Sequence, residues 1–313
     1  MLKTPTRKQI PRKVRILISG PPGIGKSTLA LSAPDPVMID CDRGMYRTDA
    51  NLWVDTAGED ENGGISYETI LADLTPENMA NYETIIFDTG GKLLSLMQAW
   101  AIRKDPKYGQ RDGSLSLKGY GAIGREFQRL MDYCYYELNK NIVIVFHSTE
   151  EKDGDNTKLR IKVEGQTRNN VWEFMDLGGF IEMQGNDRTI GFSNCERYFA
   201  KGTRGIKGVY KIPELTDARS NDFLTQLFAM FNSKCDDEAS QAAQNRADYD
   251  SAMAAAKNII AQANDAEGLA LAQKQLSEIP HALSSQTESA ALLKARGKEL
   301  GYSYSSRNGW TKK

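Results

Sequence analysis

The stretch ISGPPGIGKST, residues 18–28, combines residue types at a spacing that suits one chemistry. Gly20, Gly25, Lys26 and Ser27 satisfy the pattern G-x-x-x-x-G-K-[ST]. Glycines let backbone N–H groups turn inward around phosphate oxygens, and a helix starting there aims its positive end at the same anion. Lys26 is placed to reach the β- and γ-phosphates, and the Ser27 hydroxyl to ligate Mg²⁺. The candidate nucleotide-binding segment is therefore Gly20, Pro21, Pro22, Gly23, Ile24, Gly25, Lys26, Ser27 and Thr28, with ATP and Mg²⁺ as its expected ligands.

Such a site also needs a carboxylate at the end of a neighbouring strand to order the metal's water shell. Asp88, closing the apolar run TIIFDT, is expected to hold the metal with Ser27; the alternative is an Asp that caps the following helix. Hydrolysis further needs a group that activates water. Asp40 and Asp42 end another apolar run, VMIDCDRG, and strand alternation puts them on one side, facing the loop from an adjacent strand. Asp42 is the candidate general base with Asp40 in support, the alternative being a solvated loop acid. His147 ends NIVIVFH. A polar side chain at the carboxyl end of a central parallel strand faces the ligand crevice. His147 is thus expected to sense the γ-phosphate, unless it is a satisfied core histidine. Lys26, Asp42, Asp88 and His147 form the candidate catalytic set.

The elements that must position these residues are legible around them. VRILISG, PVMID, ETIIFDT and NIVIVFH read as buried strands, while STLALSA, GKLLSLMQAWAIRK and GAIGREFQRLMDYCYYELNK read as helices. Strands alternating with helices indicate an α/β fold with a mostly parallel central sheet. Beyond His147, STEEKDGDNTKLRIKVEG suggests a hairpin, VWEFMDLGGFIEM a helix and a strand, and residues 188–215 further short strands. The expected organisation is a basic N-terminal arm at 1–13, a core at 14–232, a linker at 233–245 and a small helical appendage at 246–313 with an irregular tail.

A chain of 313 residues, 40% hydrophobic and 26% charged, has enough apolar residue for a sizeable core and roughly two domains. A net charge of −1 leaves local clusters as the only charge signal for nucleic acid. Cys41, Cys134, Cys195 and Cys235 are scattered without a CxxC pair, which argues against a disulfide framework or zinc site and reads as four buried small hydrophobes. The polar, basic N-terminus is not expected to act as a signal peptide, and no apolar run approaches the roughly 18 residues of a membrane span. A cytoplasmic protein is expected.

Taken together, GPPGIGKST, MIDCDRG, IIFDT and VFHSTEEKDG make the chain resemble the RecA-like ATPase core. Within that class it is most similar to phage-encoded RecA-like nucleotide-binding proteins implicated in single-strand annealing and recombination. The resemblance covers about residues 14–232. It implies a RecA-like P-loop core, ATP hydrolysis coupled to single-stranded DNA, assembly of copies into a ring or filament, and a host-cell cytoplasm. The family usually has Glu at the place of Asp42, and RecA has Gln at the place of His147.

Arg197, Lys201, Arg204, Lys207 and Lys211 lie in RYFAKGTRGIKGVYK with no acid among them. AKGTRG is similar to the KNRFG element of RadA-type recombinases, whose Lys and Arg serve DNA and the neighbouring subunit's nucleotide. A glycine-rich loop with spaced cations suits a phosphate backbone, and Tyr198, Phe199 and Tyr210 suit base stacking; the alternative is a solvated basic hairpin. Lys201 or Arg204 could instead enter a neighbour's ATP site. Two other functions fit the motifs: a nucleotide-switched annealing module with negligible hydrolysis, and a small-molecule kinase whose lid would carry Arg103, Arg111 and Arg125. The appendage is a candidate dock for a single-strand-binding protein.

Overall fold

The computed structural model describes residues 12–47, 54–153, 156–163, 165–214 and 222–312. Apart from Arg12 and Lys13, the basic arm lies outside them. The chain divides into two compact units, one of Ile10–Lys234 and one containing Cys235–Lys313.

In the first unit the strands are β1 (Arg15–Gly20), β2 (Pro36–Asp40), β3 (Thr84–Asp88), β4 (Asn141–Asp153), β5 (Asn156–Ile161), β6 (Leu177–Gln184), β7 (Asp187–Gly191) and β8 (Val209–Lys211). The helices between them are α1 (Lys26–Ala30), α2 (Tyr67–Asp73), α3 (Gly90–Lys104), α4 (Leu117–Asp132) and α5 (Gly165–Phe174). The sheet order is β2-β3-β4-β1-β6-β7-β8, with β5 on the outer half of β4. The pairs from β2 to β6 are parallel, and β5, β7 and β8 add antiparallel neighbours.

The apolar runs explain this core. Leu17, Ile85, Phe87, Ile142, Ile144 and Phe146 pack in one cluster with Tyr67 of α2, Leu93 and Met97 of α3, Phe127 of α4 and Val171 of α5. The alternate residues Ile16, Ile18, Ile86, Val143 and Val145 are fully buried as well, so both faces of the sheet are covered. At the start of α3, Gly90 allows a close approach to β4: a Cβ there would collide with Phe146 and Ile144.

One expectation is corrected. β3 and β2 are not neighbours of β1, because β4 lies between β1 and β3, and β2 lies outside β3. Hydrophobic periodicity identifies strands but carries no information on their lateral order.

Residues 233–245, expected as a linker, are helical within α6 (Phe223–Gln262). Rich in Ala, Gln and charge and free of Gly and Pro, they favour continuing the helix. In the second unit, α6 residues Ala256 and Ile260 pack with Leu269 and Leu276 of α7 (Ala266–Glu278), with Leu293 of α8 (Ser285–Glu299), and with Trp310. The tail is not irregular: β9 (Tyr302–Ser305) and β10 (Gly309–Lys312) pair as an antiparallel hairpin. Trp310 Nε1 donates to Gln273 Oε1 at 3.1 Å, and its ring lies where a Cβ on Gly297 would stand. No helix of the described residues is long and apolar enough to cross a membrane.

Candidate nucleotide site

Four adjacent strands deliver the site at one edge of the sheet. The turn after β2, Asp88 at the end of β3, His147 on β4 and the loop after β1 follow one another in spatial order, at strand spacings of about 4.8 Å. Their register pairs Asp40 with Asp88, Asp88 with Val145, and Gly20 with His147.

The loop has the backbone of a phosphate cradle. Gly23 (φ 75°) and Gly25 (φ 94°) are left-handed, a conformation that side chains disfavour. At Gly20 an added Cβ would stand 2.8 Å from the Ile181 carbonyl oxygen. Lys26 and Ser27 open α1, and the buried Lys26 donates from Nζ to Pro21 O at 2.7 Å. Burial lowers the Lys26 pKa, with Asp88 opposing. The Ser27 side chain lies close enough to the Asp88 carboxylate to favour its charged form. Asp88 is buried, and its pKa is pushed up to about 6, by burial first and by Asp42 and Asp40 as well, while Ser27 and Lys26 oppose the rise. The helix-capping alternative for Asp88 does not hold. Thr89 caps α3, its hydroxyl oxygen accepting from Lys92 N at 3.3 Å.

Asp42 reaches the site by a route other than strand alternation. It lies in the turn beyond β2, where Arg43 N donates to Asp40 O at 3.1 Å and Arg43 takes φ 56°. The buried Asp40 carboxylate pins this turn, accepting from Gly44 N and Met45 N at 2.8 Å each. Burial, opposed by those two N–H groups, raises the Asp40 pKa, and the Asp42 carboxylate within hydrogen-bonding reach raises it further. The charge of Asp42 acts on both Asp88 and His147.

His147 is not a satisfied core residue, since its Nδ1 is buried without a hydrogen-bond partner among the described residues. Burial first, then the Lys26 ammonium, holds its pKa below the usual range. Asp42 opposes this, and Lys162 adds to the depression. Lys162 was missed by sequence reasoning. Its backbone N donates to His147 O at 2.8 Å, one step beyond the Ser148–Ile161 pair of the β4–β5 hairpin. The alternation in KLRIKV was the available signal, had the hairpin's register been followed back to His147.

The cations of residues 197–211 do not converge. Lys201 donates from Nζ to Trp172 O at 3.1 Å and Met175 O at 2.5 Å, so it caps the carboxyl end of α5. Its backbone bridges to Gly178 near the start of β6, away from the strand ends that hold the loop. Arg197 Nη2 stands 3.1 Å from Glu182 Oε2, and Lys211 Nζ 2.7 Å from Asp187 Oδ1. Arg204 and Lys207 are exposed. The stacking expectation is corrected too. Tyr198 is buried and stacked on Phe180 at 4.6 Å, Phe199 packs edge-on to Trp172 at 4.7 Å, and Tyr210 edge-on to Phe192 at 5.7 Å. A short sequence window shows cations and rings but not the distant partners that claim them. Of the arginines a kinase lid would need, Arg103 is paired with Glu68 at 2.9 Å. Cys41, Cys134 and Cys235 are buried as expected, whereas Cys195 is exposed.

Among the described residues no cluster of three or more His, Cys, Asp or Glu is placed to hold a metal. Mg²⁺ does not require one, since it takes one or two protein oxygens and completes its shell with phosphate and water. The glycine cradle and the Ser27–Asp88 pair fit such an ion and a nucleotide.

A mostly parallel sheet flanked by helices, with a glycine loop and basic residue after one strand and a buried acid two strands away, defines a P-loop nucleoside triphosphatase core. The AAA domain family matches residues 12–204, and the chain belongs to that family. No curated protein matches it.

Proposed function

We propose that the protein binds ATP with Mg²⁺ and hydrolyses it. The observation that carries this reading is the meeting of Lys26, Ser27, Asp88, Asp42 and His147 at one sheet edge, drawn from four adjacent strands. Ser27 and Asp88 would hold the metal, whose charge, when bound, neutralises the phosphate oxygens. Asp42 takes a proton from water as the water oxygen bonds to the γ-phosphorus. The bond from that phosphorus to the β–γ bridging oxygen breaks, and ADP and phosphate leave. Lys26 stabilises the charge on the transferring group, and His147 bonds to the γ-phosphate.

The finer reading is that hydrolysis serves single-stranded DNA, in annealing or recombination, by an assembly of several copies. Its support is the order of motifs shared with phage-encoded RecA-like proteins, together with the exposed Arg204 and Lys207. Lys201 is not part of that support, because its ammonium is bound to α5 carbonyls.

The test is phosphate release by wild type and Lys26→Ala, each with and without single-stranded DNA, alongside assembly size. Expected is a Mg²⁺-dependent rate that DNA raises and Lys26→Ala abolishes. ATP binding without turnover in either condition makes the protein a nucleotide switch. Phosphate transfer to a small acceptor, indifferent to DNA, makes it a kinase.

A further inference from the structure

We propose that Lys162 is a second cation of the triphosphate site, facing the γ-phosphate end from the β4–β5 hairpin beside His147. The inference rests on the ATP reading of the loop and names a contact that reading does not contain.

The placement follows from register. Gly20 pairs with His147 across β1 and β4, and Lys162 N donates to His147 O at 2.8 Å. Gly20, His147 and Lys162 therefore stand in a row over about two strand spacings, roughly 10 Å. In an antiparallel pair, directly opposed residues project on the same face. Ser148 opposes Ile161, so His147 opposes Lys162, and the lysine lies beside the imidazole. The charge of Lys162 reaches that ring, as does the charge of Lys26 from the other side.

The chemistry of the arrangement is that of an anion site. Two ammoniums bracket a half-buried imidazole, and Asp42 is the acid whose charge acts on it. Lys162 thus adds a second cation on the side of His147 away from Lys26. Lys162 is exposed and forms no ion pair or side-chain hydrogen bond with any described residue. By contrast, Arg160 and Arg168 on the same side of the fold both pair with Glu151. A compact ammonium on a flexible four-carbon stem suits a phosphate oxygen. From its place beside His147, Lys162 contacts the third phosphate in preference to the first two, which the loop already surrounds.

The experiment measures Mg²⁺-dependent affinity for ATPγS and for ADP by calorimetry, on the full chain, for wild type, Lys162→Ala and Lys162→Arg. Lys162→Ala is expected to weaken ATPγS by about tenfold and ADP by less than about twofold, with Lys162→Arg close to wild type. Equal losses for both nucleotides, or no loss for either, overturn the proposal. If wild type binds neither nucleotide, the reading of the loop itself fails and this inference fails with it. If wild type hydrolyses ATP and Lys162→Ala binds both nucleotides as wild type does, only the role of Lys162 fails.

Discussion

The Ser27 side chain, at the start of α1 after β1, favours the charged form of the buried Asp88 carboxylate at the end of β3, although β4 lies between β1 and β3. The two groups proposed to hold the metal thus approach one another from the ends of β3 and of the loop after β1. The arrangement has a thermodynamic cost, because the carboxylate is buried and its pKa stands at about 6.

The first prediction follows from the sign of that shift. With its folded pKa above its unfolded one, Asp88 is more readily protonated in the native state, so stability falls as pH rises from about 4 to about 6 and stays lower above it. Asp88→Asn removes the charge while keeping the shape. It should stabilise the nucleotide-free protein at pH 7.5 by about 1–3 kcal/mol, and the gain should fade towards pH 4. The same variant should lose Mg²⁺-dependent hydrolysis. Thermal melts at the two pH values test this; a lower melting temperature at pH 7.5 would mean that the favourable influence of Ser27 and Lys26 outweighs burial.

A second prediction separates Asp40 from Asp42. Asp40 holds the turn through Gly44 N and Met45 N, whereas Asp42 acts through its charge on Asp88 and His147. Asp40→Ala should lower both stability, by about 1–3 kcal/mol, and kcat, because two N–H groups lose their acceptor and the base loses its support. Asp42→Ala should lower kcat with little change in melting temperature. A matched loss of stability in both variants would reject this division of roles.

Lys201 is predicted to be structural. Lys201→Ala should cost about 1–2 kcal/mol in urea unfolding, through two lost carbonyl bonds and an uncompensated helix end. Lys207→Ala, at an exposed position, should leave unfolding unchanged and weaken any affinity for single-stranded DNA. Fluorescence anisotropy with labelled oligonucleotide, beside the unfolding curves, distinguishes the two. Weakened DNA binding in a fully stable Lys201→Ala would restore a direct role.

A fourth prediction concerns the C-terminal unit. Gly297 lies against the Trp310 ring, so a methyl group there forces the indole out of place. Gly297→Ala should destabilise this unit by about 1–3 kcal/mol despite the better helix propensity of Ala. Hydrogen exchange should rise in α8 and in the β9–β10 hairpin. Unaltered exchange would show that the indole can shift without loss.

Much of the site could be read before any coordinates. The loop announces itself by glycines whose backbone angles few other residues tolerate, and Asp88 by closing an apolar run. The hairpin after His147 follows from a turn cluster and alternation. What escaped depended on distance along the chain. Asp42 is placed by Asp40's bonds to a turn, not by strand periodicity. The partners of Arg197, Lys201 and Lys211 are Glu182, α5 carbonyls and Asp187, none visible in a window of basic residues. α2 is a seven-residue helix with a capping box at Ser66 and Thr69, too short for its periodicity to stand out. The tail hairpin hid in a polar segment where Trp310 supplies the main apolar anchor.

β4 continues without interruption from Asn141 to Asp153. The strand that carries His147 and the outer ribbon are therefore one continuous strand. Asp153 lies six residue steps beyond His147, a span of about 20 Å. A displacement at His147 has a continuous, hydrogen-bonded path to the far end of that ribbon. On the proposed reading, exchange of triphosphate for diphosphate beside His147 would have this strand as its route to the outer ribbon.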